Sequence, residues 1–261
     1  MVLERLISRR AALRNPLAMF VVGGIVSVAC LVIAFIVFSD SVGMFTTILM
    51  TMAMTPFMVN LLYHEEKETE EQITRKMEGN FLARHSDVLS VYGALFIGMV
   101  LALSITFLLL PEQYVQSIFE DQINEIGIIR GEFLSMDTFS RIMVNNVGVL
   151  LIAFLFSFLF GSGAIFILSW NASVLAAAIG LAAKSIGGLG GLPLAVLVFL
   201  PHGSLEILAY LVGAVAGGMV SVVLTRRHSK CFWMIIADSL KLVAVAAVLL
   251  VAAAALEAAQ M

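Results

Sequence analysis

Charge is scarce in this chain. Of its 261 residues only 13% are Asp, Glu, Lys or Arg, about half the roughly 25% usual in soluble domains. Hydrophobic residues make up 61%, and the mean hydropathy is +1.04. A soluble fold of this size cannot hide that much apolar surface, so an ordinary soluble domain and a disordered chain are both excluded. The net charge of −3 gives no positive field for a polyanion, which excludes nucleic acid as a partner. Cysteine is nearly absent: Cys30 and Cys231 are too few for a disulfide scaffold and are read as free thiols in or beside apolar segments. The signatures of common chemistries are missing as well. There is no H-E-x-x-H, no G-x-S-x-G and no G-x-x-x-x-G-K-[ST], so no catalytic residue, metal site or cofactor is assigned. The chain is read as not being an enzyme.

What is present is a series of long apolar runs. A bilayer-spanning helix needs about 20 mostly apolar residues. Candidate spans are 17–38, 41–63 with Pro56 inside, 88–110, 142–170, 172–186, 204–224 and 232–256. Pro16 precedes the first, a favourable place at a helix start; with its basic lead, that span is read as an anchor rather than a cleaved leader. The expected fold is all-α, a polytopic transmembrane helical bundle of about seven spans. The stretch from Gly191 to Thr225 is too long for one crossing and contains Pro201-His202-Gly203. Pro201 and Gly203 are therefore expected to break it into a re-entrant half-helix near 192–200 and a full span. Such breaks are tolerated only where protein or a wet cavity surrounds them.

The basic residues set an orientation. Arg5, Arg9, Arg10 and Arg14 precede the first span, Lys67, Arg75, Lys76 and Arg84 follow the second, and Arg226, Arg227 and Lys230 precede the last. With seven spans these lie on one side, against Arg130 and Arg141 on the other. The positive-inside rule then puts the N-terminus in the cytoplasm and the C-terminus outside the cell membrane.

Three polar pieces lie between or before the spans. Residues 1–15 alternate apolar side chains with arginines, as an amphipathic interfacial helix or a plain basic topology signal would. Residues 64–87 have helical periodicity, with Glu71 and Arg75 at i, i+4, and suit a hairpin or extension flexed at Gly79-Asn80. Residues 111–141 repeat apolar positions at helical spacing among acids, as one or two helices lying across the outer face would. The second and third pieces are a solvated or covering surface in one reading and docking sites for protein partners in the other. Three domains are drawn accordingly: 1–15, 16–87 and 88–261.

Four charges fall inside the spans: Lys184, Glu206, Asp238 and Lys241. Each Asp, Lys or Arg there costs roughly 2.5–3.5 kcal/mol on insertion scales. Asp238 and Lys241, three apart, are expected to pair, and Lys184 to snorkel. Glu206 stands four residues after His202 in P-H-G-S-L-E, so both project from one helix face. This pair could bind a cation, relay a proton or act as a hydrogen-bond staple. Asn145, Asn146 and Asn171 add amides within the membrane. Gly161, Gly163, Gly213 and Gly217 permit close helix approach, within one bundle or across a homodimer.

These residues resemble a known family. Asn145-Asn146, Gly161-Ser162-Gly163, Asn171, Gly180, Pro201-His202-Gly203 with Glu206, and Gly217-Gly218 are similar to the pattern of the stage II sporulation protein M family, over about residues 88–261. The resemblance implies a multi-pass membrane scaffold or assembly factor; founding members act with partners in peptidoglycan remodelling during spore engulfment. The alternative from the residues themselves is a transporter or channel using His202 and Glu206 on a broken helix.

Overall fold

The computed structural model describes residues 9–38, 40–74, 85–132, 138–160, 164–225 and 232–260. Among these there is no strand. The order is α1 (Arg9–Arg14), α2 (Pro16–Val37), α3 (Val42–Thr74), α4 (Ser86–Leu109), α5 (Glu112–Ile118), α6 (Glu120–Glu132), α7 (Thr138–Phe160), α8 (Ala164–Ile186), α9 (Leu192–Thr225) and α10 (Phe232–Gln260). Among the described residues seven helices are long and apolar enough to cross a membrane: α2, α3, α4, α7, α8, α9 and α10. In hydrocarbon each backbone N–H and C=O must be satisfied within its own segment, and a continuous helix does this. The protein is an all-α, multi-pass membrane bundle.

α9 is its central rod. Of its most apolar stretch 78% is buried, against 28% for α2 and for α7. It contacts α10, α7, α8, α3 and α4. The outer helices instead turn Leu17, Ile25, Ile36, Val144 and Val248 away from protein, as helices facing lipid do. Glycines set the closest seams. A Cβ built at Gly98 on α4 would collide with the backbone carbonyl of Phe20 on α2, and one at Gly23 with the carbonyl of Leu95. Gly217 on α9 lies in the same way against the Phe154 carbonyl on α7, and a Cβ at Gly213 would strike the Leu150 side chain of α7. Ser157 Oγ donates to the Ala214 carbonyl across that seam at 2.7 Å.

One end of the bundle carries a cap. α5 and α6 bury Val115, Ile118, Phe119 and Ile126. They are tied down by three polar links: Lys184 Nζ to Glu112 Oε2 at 2.6 Å, Met44 N–H to Asp121 Oδ2 at 3.0 Å, and Gln122 Nε2 to Ser173 Oγ at 3.1 Å. The snorkelling expected of Lys184 thus ends on a partner in the cap, with its Nζ also 5.0 Å from the Phe107 ring centroid.

Two expected boundaries are corrected. The spans read as 142–170 and 172–186 divide earlier, into α7 ending at Phe160 and α8 starting at Ala164. A single helix over 142–170 would be about 44 Å long, well beyond a core of roughly 30 Å. Gly161 and Gly163, assigned to packing, lie outside the described residues. The break at Pro201 and Gly203 is not observed either. α9 is one helix of 34 residues with Pro201 inside it, so residues 192–200 are its first turns and not a separate re-entrant piece. Proline removes one hydrogen bond, whereas an open break in hydrocarbon would expose several backbone groups. The chain reverses before α9, where Gly187 (φ 136°) and Gly188 (φ 69°) adopt the left-handed backbone that glycine tolerates.

Residues 1–8 of the expected interfacial helix lie outside the described residues; Arg9–Arg14 is helical. The charged segment after the second span continues α3 as far as Thr74. Arg75 and the Gly79-Asn80 flexure lie outside the described residues.

Candidate functional site

Five spans line one polar cavity of about 200 Å³, and four of them bring polar side chains to it; α4 contributes Phe96. α7 brings Asn145 and Asn146, α8 brings Asn171, α9 brings His202, Glu206 and Tyr210, and α10 brings Glu257. The helical repeat explains the α9 contribution: residues 202, 206 and 210 are spaced four apart and share a face. Gly203 and Ile207 complete that wall, with Phe199 one turn earlier.

Asn146 is the centre of the hydrogen bonding. Its Nδ2 donates to Glu206 Oε1 at 2.5 Å. Its Oδ1 accepts from the Tyr210 hydroxyl at 3.0 Å and from Asn145 Nδ2 at 3.3 Å. Asn146 and Tyr210 are both buried, at 5% exposure each. Glu206 is therefore held by an amide from a neighbouring helix and not by His202. Among the described residues His202 Nδ1 is buried with no hydrogen-bond partner. Asn171 Nδ2 donates back to the Ile167 carbonyl of its own helix at 2.8 Å.

Glu257 changes the character of the site. It lines the same cavity as Glu206 and His202 and reaches it from a different helix. Two carboxyl groups that line one cavity favour a proton or a cation between them, because like charges repel there. The cavity thus offers acceptors for a positively charged or proton-donating group, flanked by amide, phenol and imidazole.

The other sequence-selected residues lie apart. Asp238 and Lys241 meet on α10 at 3.0 Å, away from the cavity. Gly213 and Gly217 serve the α7–α9 seam described above. Sequence reading missed Tyr210 and Glu257. Tyr210 passes for an ordinary core aromatic, although it continues the four-residue spacing of His202 and Glu206. Glu257 falls just past the end assigned to the last span at 256, whereas the apolar helix carries on to Ala258.

The family model described as "Stage II sporulation protein M" matches residues 17–259. The chain belongs to the stage II sporulation protein M family. The match begins at residue 17, whereas the resemblance read from the motifs covers about residues 88–261, so the matched region also takes in the two N-terminal spans. Packing agrees with this, since α2 lies along α4 through Gly23 and Gly98. No curated protein and no solved structure matches this family member. Among its described residues no group of three or more His, Cys, Asp or Glu side chains is arranged to hold a metal ion.

Proposed function

We propose that this family member is a non-enzymatic membrane scaffold or assembly factor whose intramembrane cavity is a receptor for a cationic group. The convergence of Glu206 and Glu257 from different helices carries this reading. Burying carboxyls in a membrane protein is costly unless a partner compensates them, and Asn146 compensates only part of the pair. Ethanolammonium is a suitable probe. It should raise the Tm of the purified protein in detergent, by about 2.7 kcal/mol of stabilisation at 100 times its Kd. Glu206→Gln and Glu257→Gln should remove that response while keeping helicity. A wild-type Tm indifferent to ethanolammonium would overturn the reading.

A second reading, transport, is favoured by one observation: the cavity lies between membrane spans, and Pro201 sits in α9 close before Glu206. Uptake of ethanolammonium into proteoliposomes, lost in Glu206→Gln, would support it; absence of flux alongside retained binding would favour the scaffold. The cap α5–α6 and the segment around 64–87 are the surfaces proposed for protein partners or a second copy. The arginine distribution supports a cytoplasmic N-terminus, with the cap outside.

A further inference from the structure

A second cavity lies against the polar one. It is larger, about 490 Å³, and runs between α4, α8 and α9. Its walls are almost wholly aliphatic or aromatic; Ser90 and Ser204 are the polar side chains lining it. The two cavities share Phe96, Leu175, Phe199, Gly203 and Ile207. Gly203 stands at the junction, where a Cβ would meet no atom within 4 Å. The apolar groove opens on the flank of the bundle, since Ile97, Leu200 and Leu208 on its rim are exposed. A ligand filling both spaces must be amphipathic, with a hydrocarbon part entering from the side where acyl chains lie and a polar part that suits two carboxyls.

From this juxtaposition, we infer that the paired cavities form a binding site for a membrane lipid bearing a primary-amine head group. The ammonium sits between Glu206 and Glu257, and an acyl chain lies in the groove between α4 and α9. Charge complementarity selects the cation. The unpartnered His202 Nδ1 is left to meet a phosphate or ester oxygen of the same lipid, because a buried polar atom without a partner is costly. The primary amine is preferred over a quaternary one because it has N–H groups to give to carboxyl oxygens. This inference rests on the cation-receptor reading and names the chemical class of its occupant.

The test is native mass spectrometry of the full chain released from nanodiscs with equal parts palmitoyl-oleoyl phosphatidylethanolamine, phosphatidylcholine and phosphatidylglycerol. The expected result is one phosphatidylethanolamine retained per chain, favoured roughly tenfold or more, as a charge-assisted hydrogen bond would give. Glu206→Gln with Glu257→Gln should abolish the preference. Gly203→Leu should block the junction and lose the bound lipid, while Gly203→Ala, which suits a helix better than glycine, should keep it and control for folding. Equal retention of the three lipids, or a preference unchanged by the double variant, would overturn the inference. If ethanolammonium still raises the Tm in that case, only the lipid assignment fails; if neither lipid nor ethanolammonium binds, the receptor reading fails with it.

Discussion

The Asn146 carboxamide joins α7 to two successive turns of α9, giving a hydrogen bond to Glu206 at 2.5 Å and taking one from Tyr210 at 3.0 Å. One amide thereby fixes the rotamer of the carboxyl that faces the cavity and the phenol beneath it. Interhelical hydrogen bonds in membranes average only about 0.6 kcal/mol. The larger consequence of losing Asn146 is that two buried groups lose their partner together.

Asn146→Ala should therefore destabilise the protein by about 1–3 kcal/mol. Tyr210→Phe, which removes one bond and leaves the ring, should cost only about 0.6 kcal/mol. Reversible unfolding in mixed micelles separates the two. Equal losses would mean that Asn146 does not organise the pair.

Gly98 tests whether the N-terminal spans belong to the bundle. Gly98→Ala puts a methyl against the Phe20 carbonyl of α2, and such overpacking costs about 1–3 kcal/mol. Gly148→Ala on α7 meets no atom within 4 Å and should be neutral or stabilising by up to about 1 kcal/mol through helix propensity. Thermal unfolding of both variants, with limited proteolysis between α2 and α4, reads the difference. Equal behaviour would show that the α2–α4 seam is not a tight one.

A buried pair closes the opposite end from the cap. His85 Nδ1 and Glu65 Oε1 lie 2.6 Å apart at 0% and 5% side-chain exposure, linking the end of the α3 span to the residue before α4. Among the described residues His85 Nε2 has no partner. Glu65→Ala takes the Glu65 hydrogen bond from the buried ring and should cost about 1–3 kcal/mol. Glu65→Gln keeps an acceptor oxygen and should recover most of that. Unfolding midpoints that rank alanine and glutamine alike would exclude a hydrogen-bonding role for the pair.

Much of the fold was legible in the residues, for a physical reason. Hydrocarbon demands long apolar segments, so the number of spans and the amphipathic helices of the cap follow from local composition. The misplaced division between α7 and α8 and the expected break in α9 have a common cause. Glycine and proline mark positions where a helix could yield, but neighbouring helices decide whether it does. The sequence places Gly161 and Gly163 inside one long span as packing residues, whereas α7 ends at Phe160 and α8 starts at Ala164. Pro201-His202-Gly203 predicts a break, whereas α9 runs through it.

The sequence by itself determined the class, the number of spans and two members of the α9 face: His202 and Glu206, four apart on a helix, must project together. Only the tertiary structure decided what that face meets. Asn146 comes from 60 positions away to hold Glu206, and Glu257 arrives from the last helix to share its space. Periodicity is a property of one segment and depends on its own residues. Convergence of several helices on one cavity depends on how glycine seams and side-chain volumes set their relative position, and no single segment carries that information.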